Sequence, residues 1–497
     1  MAVHAITGKK LVIFLLLVML LFSPRVVADA AAEEGVTYIE NDYEFTVLED
    51  GTASITWYAG NADTLILPDH LQGYQVSTIS DWAFTECSSL KSLTIPDSIT
   101  SLGYNPFGGC EELIEIRVSL NHPVFEVIDG VLFSKEDKCL LCYPAGADSK
   151  TYSIPEETRA IGIGAFYRCA NLTEVTIPDS VTAIGSFSFY YCTGLKTLTL
   201  PDGIVTIGNY AFSGCSGLTA VTIPESLTAI NDAAFLDCSG LKEVTIPDSV
   251  TAVGPLAFDG CTGLVSISIP DGVTVLDEGV FSGCTSLKDV SIPDSVTTIR
   301  SLAFGGCTDL VTISFPDSVQ SIGDSAFSGC SSLETVTIPS SVKSLAGWVF
   351  YQCSELKSVT LPDGITSISN GLFAQCTKLA EITIPASVTS IGPSAFSGCS
   401  ALTTVTLSDN IESIGKEAFA DCTYLREVTL PNSVKTIGEW AFLNCTDLAE
   451  VTIPASVKYI NGYIFLKCNP ELTVTVDHDS YAEEYCQTEG INYVYAN

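Results

Sequence analysis

The chain has 497 residues, of which 46% are hydrophobic, and its 58 acidic side chains outnumber 22 basic ones to give a formal charge of -36. A surface this negative repels nucleic-acid phosphates and anionic lipids, so neither class of partner is expected. The four histidines, His4, His70, His122 and His478, lie far apart in the chain. This spacing disfavours a histidine metal site or a histidine-based catalytic triad, and we expect no metal and no cofactor.

The first thirty residues have the composition of an export signal. Lys9 and Lys10 precede the apolar run Leu11 to Phe22, and small residues follow around Ala28 and Ala30. This order predicts a secretory signal peptide over residues 1–30, and the apolar run is short for a bilayer span. An uncleaved N-terminal anchor is the alternative. After signal removal we expect a secreted or cell-surface protein with no segment inserted in the membrane.

A repeat of 23 residues dominates the rest of the chain. Fourteen cysteines from Cys169 to Cys468 recur at this interval, as do Cys87 and Cys110, and a phenylalanine lies three residues before each. These Phe-x-x-Cys units number sixteen. A period of 20 to 29 residues with leucine at fixed offsets is typical of leucine-rich repeats.

One unit, Leu241 to Cys261, gives a physical reason for each offset. Val244 and Ile246 flank a polar residue with the alternation of a strand, and Pro247 then ends the strand because it lacks a donor. Ala257 and Phe258 are expected in a brief helical turn that closes the coil. Because one coil cannot bury its own apolar side chains, the coils must stack. The sequence predicts a β-rich, leucine-rich-repeat solenoid, a right-handed superhelix of about sixteen 23-residue coils with a parallel sheet and short helical turns.

The domain division follows from where the period fails. The solenoid is expected over residues 62–476, with an irregular insertion within residues 111–158 that includes a hairpin turning at Asp129-Gly130. Residues 31–61 contain two strand-like runs around Glu49-Asp50-Gly51, which predict a β-hairpin cap. Residues 477–497 are polar and helix-permissive at first, and we expect them to form the C-terminal cap.

The cysteine column has two interpretations. Export favours a ladder of disulfides, but equivalent side chains of stacked coils run parallel, which strains a disulfide. Buried free thiols that act as small hydrophobic side chains are therefore favoured. The Cys139-Leu-Leu-Cys142 segment has the spacing of a redox motif, but it lies in a strand-like run, so redox chemistry is disfavoured.

The strand also carries a constant polar column. The residue between its two hydrophobic positions is Thr or Ser in thirteen successive units from Thr176 to Thr452, and it must face outward. β-Propensity alone accounts for such a row; a ligand surface is the alternative, and its candidate binding residues are Thr176, Thr199, Thr222, Thr245, Thr337, Thr360, Thr383, Thr406, Thr429 and Thr452.

Aromatic residues recur five residues before the cysteine. They either pack on the neighbouring coil or anchor a partner, since Trp and Tyr are favoured at binding hot spots. The candidate anchors are Trp82, Tyr210, Trp348 and Trp440.

The unit resembles the BspA-like class of leucine-rich repeats, through Val-Thr-Ile-Pro-Asp-Ser-Val and Ala-Phe-x-x-Cys-x-x-Leu, as in Val175 to Val181 and Ala395 to Leu402. The resemblance covers about Ala62 to Val476 and implies a surface protein of gut or oral bacteria, or of a parasitic protist, that adheres to host matrix or other cells. We therefore expect a non-catalytic protein that contacts an extracellular protein or glycan through its sheet face. A structural envelope or surface-layer component is the alternative, and a secreted enzyme with a site in the irregular segment is a weaker one.

Overall fold

A computed structural model describes residues 36–496 of the chain, so the predicted signal peptide lies outside the described residues. The chain forms a β-solenoid of about nineteen coils, which confirms the predicted fold and exceeds the predicted count of about sixteen. Two rows of short strands run along the solenoid, and hydrogen-bonded turns close each coil on the remaining side.

The first strand row comes from the segment before each proline. Partners in adjacent coils are parallel and one repeat apart, as in Val221 against Val244. Its strands are Thr64–Ile66, Ser92–Thr94, Glu115–Arg117, Thr151–Ser153, Glu174–Thr176, Thr197–Thr199, Ala220–Thr222, Glu243–Thr245, Ser266–Ser268, Asp289–Ser291, Thr335–Thr337, Ser358–Thr360, Glu381–Thr383, Thr404–Thr406, Glu427–Thr429, Glu450–Ile453, Thr473–Val476 and Tyr493–Tyr495. A single bridge, Thr312 to Thr335, marks the remaining coil of this row.

The second strand row follows the Pro-Asp-Ser turn. Its strands are Ala53–Tyr58, Tyr74–Ile79, Ser101–Leu102, Cys139–Cys142, Ala160–Ile161, Ala183–Ile184, Thr206–Ile207, Ala229–Ile230, Ala252–Val253, Val275–Leu276, Thr298–Ile299, Ser321–Ile322, Ser344–Leu345, Ser367–Ile368, Ser390–Ile391, Ser413–Ile414, Thr436–Ile437 and Tyr459–Ile460. Alternate side chains of both rows point inward and meet the buried Phe, Cys and Leu columns, so the core runs the length of the solenoid.

The Phe-x-x-Cys segment forms turns and no helix, which corrects the expected helical turn. In the coil of Phe258, the Cys261 amide donates to the Phe258 carbonyl at 3.2 Å, but Leu256 and Gly260 have positive φ angles of 57° and 70°. Left-handed residues at both ends of the segment prevent a continuous helix. Its amides instead bond the next coil, as Phe258 N–H does to the Val280 carbonyl at 3.0 Å.

Two coils lack the Phe-x-x-Cys signature and account for much of the difference in count. Tyr58 and Tyr143 take the phenylalanine position, because their amides donate to the carbonyls of Ala83 and Ala165, as the repeat phenylalanines do one coil later. The segment Tyr143-Pro-Ala-Gly146 thus replaces Phe-x-x-Cys within the irregular region. The last coil is closed by a helix and ends in the strand Tyr493–Tyr495, which pairs in parallel with Thr473–Val476.

The insertion contains an antiparallel hairpin, Phe125–Ile128 and Val131–Ser134, that turns at Asp129 and Gly130 with φ angles of 49° and 82°. It divides the core into two packed clusters, one from Tyr43 to Cys142 and the other from Val131 to Cys486. Two antiparallel strands, Thr37–Glu40 and Tyr43–Val47, pair onto Ala53–Tyr58 of the first coil and cover it. A short strand, His70–Leu71, pairs with Tyr74–Ile79.

The helix α1, Tyr481–Glu489, covers the other end. Its first turn is capped by the Ser480 hydroxyl, which accepts from the Glu483 amide, and Gly490 ends it with a left-handed φ of 70°. Tyr485 of α1 anchors it to the last repeat, because its hydroxyl accepts from the Ile464 amide at 3.0 Å. Within residues 36–496, no helix combines the length and apolarity that a bilayer crossing needs.

Candidate functional site

The predicted threonine row lies on the outer surface of the first strand row. Nine of the ten candidate residues are exposed, and Thr452 is partly exposed. Where the strands of adjacent coils pair along their whole length, these threonines lie directly opposite one another, as in Thr199 against Thr222 and Thr337 against Thr360. None of the ten donates or accepts a side-chain hydrogen bond within the described residues, so their hydroxyls face solvent.

The neighbouring outward position, two residues earlier, varies from coil to coil. It is occupied by Glu, Thr, Ala, Ser or Asp, for example Glu243, Asp289 and Glu381. A constant hydroxyl row therefore runs beside a row of changing charge and size. We call these two rows together the strand face.

A shallow groove of about 600 Å³ crosses the strand face near its middle. The sheet is interrupted here: Ser268 pairs with Ser291, but the next coil has no strand partner on that side and makes only the Thr312 bridge to Thr335. The second strand row stays paired across the same coils, through Thr298–Ile299 and Ser321–Ile322. The groove is lined by Ser266, Ile267, Ser268, Asp289, Val290, Ser291, Ile292, Asp294, Ser314 and Pro316.

Three coils at the groove carry Ser in place of Thr, at positions 268, 291 and 314, and all three are exposed. Serine lacks the methyl group of threonine, so the outward side chains of these three coils occupy less volume on the strand face. The candidate set from the sequence contained only threonines and therefore missed this groove. The three consecutive serines were the signal that could have located it.

The candidate aromatic anchors all occupy a strained backbone position. Trp82, Tyr210, Trp348 and Trp440 have φ angles of 59°, 58°, 57° and 59°, and each is partly exposed. A bulky residue in the left-handed region costs about 1 to 3 kcal/mol, and glycines such as Gly279 and Gly371 fill the same position in other coils. The aromatic side chains are therefore not needed for the backbone to turn.

Two of the four candidate anchors, Trp348 and Trp440, lie apart from Trp82 and Tyr210. Trp348 packs edge-on against Tyr351 at 5.2 Å, and a Cβ at Gly371 in the next coil would lie 2.2 Å from its indole. Trp440 lies under the Lys416 ammonium, 4.4 Å from the ring centroid, and Glu439 pairs with the same ammonium at 3.0 Å. Each ring packs on neighbouring side chains and leaves one surface in solvent.

Trp82 and Tyr210 belong instead to one cluster of six partly exposed rings. Trp82 meets Tyr167 edge-on at 5.5 Å, Tyr167 stacks on Tyr190 at 5.0 Å, and Phe187 stacks on Tyr210 at 5.0 Å. Tyr191 joins through Tyr190, with ring centroids 4.7 Å apart. We call Trp82, Tyr167, Phe187, Tyr190, Tyr191 and Tyr210 the ring cluster.

The cysteine column is a ladder of buried thiols. The thiols of Cys110 and of the repeats from Cys192 to Cys468 donate to the carbonyl oxygen of the phenylalanine one coil earlier, as Cys261 does to Phe235 at 3.2 Å. All nineteen cysteines are free thiols, and burial raises the pKa of interior ones such as Cys261 well above its usual range. Protonated, inaccessible thiols serve packing and offer no nucleophile.

The aspartates that follow the strand-ending prolines are exposed, as at Asp248 and Asp271, and each coil has at most one carboxylate at this position. A calcium site needs six or more converging oxygens. Within residues 36–496 no group of three or more His, Cys, Asp or Glu side chains is placed to hold a metal ion.

The family assignment follows from the repeat. The BspA type leucine rich repeat region matches residues 58–138, 145–265, 257–376 and 348–471. The chain belongs to this family. The match omits residues 139–144 of the insertion, the C-terminal cap, and the N-terminal cap apart from residues 58–61.

Solved structures of bacterial proteins are similar to this chain to different degrees. A leucine-rich repeat protein from Bacteroides ovatus is 26% identical, with a TM-score of 0.54 over 95% of this chain and 100% of the other. A leucine rich cell surface protein from Faecalibacterium prausnitzii is 28% identical, with a TM-score of 0.44 over 87% and 96% of the two chains. Among curated proteins, no significant match to the chain is found. Repeat proteins of this family generally bind other proteins and are generally not enzymes.

Proposed function

We propose that this protein is exported and mediates adhesion by binding proteins of the host matrix or of other cells through its strand face. The observation that carries the proposal is the hydroxyl row held in register beside a row of varied side chains, with a groove at its middle. A stack of coils with the same backbone path gives a long, preformed surface, so little conformational entropy is lost on binding. The proposal includes no catalytic step.

The charge of the protein favours partners with basic surfaces. The strand face carries exposed carboxylates, including Glu243, Asp289, Glu381 and Glu427, and the whole chain has a formal charge of -36. Opposite charge on a partner accelerates association and is screened by salt. Binding should therefore weaken as the ionic strength rises.

The test uses two matched triple variants. The first changes Thr337, Thr360 and Thr383 to Ala on the strand face; the control changes Thr228, Thr274 and Thr366 to Ala on the outer side of the second strand row. All six threonines are exposed and none makes a side-chain hydrogen bond within the described residues, so both variants should fold equally well.

Binding of the chain from residue 31 onward is measured against purified extracellular matrix proteins and intact cells. We expect the strand-face variant to lose at least about tenfold in affinity for whichever partner the parent chain retains, because several contacts are removed at once. The control should retain parental affinity. Equal binding by both variants would exclude the strand face as the binding surface. Regular self-assembly of the parent chain without any partner would favour a structural envelope component.

A further inference from the structure

The ring cluster lies where the insertion interrupts the stacking of coils. The Tyr143 coil has no residues that correspond to the aromatic positions of the ring cluster. The coils on either side of it approach each other there, since a Cβ on Gly164 would lie 2.2 Å from Asn105 Cγ. Small residues leave room for the Trp82 indole to cross this gap, because a Cβ on Gly108 would lie 2.8 Å from its ring. Trp82 thereby reaches Tyr167, which is distant in sequence.

A polar cleft of about 370 Å³ adjoins the ring cluster. Its polar lining residues are Glu111, Glu112, Arg168, Asn171, Tyr191 and Thr193. Tyr191 is a member of the ring cluster and is 42% exposed, and the Arg168 guanidinium lies over the Tyr167 ring at 5.7 Å. The rings and the cleft are therefore parts of one surface.

Three polar side chains of the cleft, Glu111, Arg168 and Asn171, are held in place by contacts. Arg168 pairs with Glu111 at 3.2 Å, and the Asn171 amide donates to the Ala147 carbonyl at 3.2 Å. These contacts leave the second Glu111 oxygen, Glu112 and the hydroxyls of Tyr191 and Thr193 free to accept or donate. The cleft thus presents a fixed ion pair, a fixed amide and several free donors and acceptors beside an aromatic surface.

A second observation at this place is an unpaired amide. Asn105 is 6% exposed, and its Nδ2 has no hydrogen-bond partner among residues 36–496. It lies beneath Trp82, because a Cβ on Gly108 would approach both the Asn105 amide nitrogen and the indole. Asn105 does not line the cleft, so its amide marks incomplete packing beneath the ring cluster and is not a contact to a ligand in the cleft.

We propose that the ring cluster and its cleft bind a neutral oligosaccharide. A sugar ring has one apolar C–H face, which packs on aromatic rings, and a rim of hydroxyls, which bond to carboxylates, amides and guanidinium groups. The volume of the cleft lies within the usual range for small-molecule sites, about 300 to 1,000 Å³. Glu86, Glu111 and Glu112 are exposed near the rings and disfavour sulfated or sialylated sugars by charge repulsion.

This site is independent of the strand face. It lies beside the Cys110, Cys169 and Cys192 turns, whereas the strand face precedes the prolines of each coil. The strand-face triple variant should therefore bind oligosaccharides as the parent chain does, and failure of one proposal leaves the other standing.

The experiment uses an array of neutral tetrasaccharides of glucose, galactose, mannose and N-acetylglucosamine, with sulfated and sialylated counterparts. Affinities for the neutral sugars retained are then measured by calorimetry on the parent chain, on Tyr191→Ala and Arg168→Ala, and on the control Tyr424→Ala. Tyr424 is 58% exposed and lies in a distant coil, so its removal matches the loss of Tyr191 chemically.

We expect binding of at least one neutral tetrasaccharide, weakened about tenfold or more by Tyr191→Ala and by Arg168→Ala but less than twofold by Tyr424→Ala. The tryptophan emission should change on binding, and Trp82→Phe should remove this change. Absence of binding at millimolar concentration would overturn the proposal, as would preference for the acidic sugars or unchanged affinity in both cleft variants.

Discussion

The thiol of Cys261 donates a hydrogen bond to the carbonyl oxygen of Phe235, 26 residues earlier, at 3.2 Å. The same carbonyl accepts the Cys238 amide, also at 3.2 Å, so one phenylalanine oxygen joins two coils. The pattern recurs from coil to coil, for example from Cys284 to Phe258 and from Cys399 to Phe373. The cysteine column therefore holds the coils in register as well as filling the core.

Replacement of one interior thiol separates these two roles. Cys261→Ala removes both the sulfur volume and the donor, and we expect a loss of about 1 to 2 kcal/mol in the free energy of unfolding. Cys261→Ser keeps a donor beside the Phe235 carbonyl and should lose less than Ala does. Urea denaturation of the two variants measures the difference, and a serine variant clearly less stable than the alanine variant would show that only apolar packing matters.

The accessibility of the thiols gives a second prediction. Cys87 and Cys468, at the two ends of the ladder, are partly exposed, whereas thirteen thiols from Cys169 to Cys445 are buried. Reaction of the native protein with a maleimide, followed by peptide mass spectrometry, should label Cys87 and Cys468 first and leave the interior unmodified. Cys139 is also partly exposed but should react slowly, because burial raises its pKa to about 11. Rapid native labelling of the interior column would contradict the stacked arrangement.

The phenylalanine stack should show a dependence on position. Phe258 is fully buried between Phe235 and Phe281, with ring centroids 5.5 and 5.8 Å away, whereas Phe465 ends the stack against Phe442 alone. Phe258→Ala should lower the free energy of unfolding by about 3 to 5 kcal/mol, and Phe465→Ala by less, since its site is less enclosed. Thermal denaturation of both variants and of Phe258→Leu checks the order. Equal losses at the two positions would contradict it.

We expect His122 to make the stability of the hairpin insertion depend on pH. Its Nδ1 accepts the amides of Val124 and Phe125, so Nε2 carries the proton and donates to the Pro96 carbonyl at 3.2 Å. Burial lowers the pKa of His122 below its ordinary value of 6.5, with Lys135 adding to the effect while the Pro96 carbonyl and Asp97 oppose it.

Because the folded pKa is depressed, the unfolded chain takes up the proton first as the pH falls. The contribution of His122 is therefore complete above about pH 6.5 and is lost progressively below it. His122→Asn keeps a side-chain acceptor for the two amides but does not titrate in this range. Between pH 7.5 and pH 5 the melting temperature of the parent chain should fall more than that of this variant. A constant difference would rule out this role.

The 23-residue period was sufficient to predict the solenoid, because a column of Phe, Cys and Leu at fixed offsets can be buried only by stacking. The coils of Tyr58 and Tyr143 escaped this count, since tyrosine replaces phenylalanine and Gly146 replaces cysteine. The sequence predicted a helical turn at Phe258, because no residue near Leu256 indicates that its backbone is left-handed. Only the glycines at the same position in other coils indicate this conformation.

The sites were predicted only in part, for a related reason. The outward direction of Thr245 follows from strand alternation, which is a local property. The groove at Ser291 depends on which coils lack strand hydrogen bonds to the next coil. The contact of Trp82 with Tyr167 depends on the absence, in the Tyr143 coil, of residues that correspond to the ring cluster. Both are properties of how neighbouring coils stack, which a single repeat does not encode.

Carbodiimide labelling of carboxylates, with and without a bound protein partner, tests most directly whether the strand face is the binding surface. Asp289 and Asp294 line the groove, whereas Glu355 and Asp421 are exposed near the Phe-x-x-Cys turns. Our account predicts that the partner protects Asp289 and Asp294 from labelling and leaves Glu355 and Asp421 unchanged. Protection of the turn carboxylates with full labelling of the groove would contradict it.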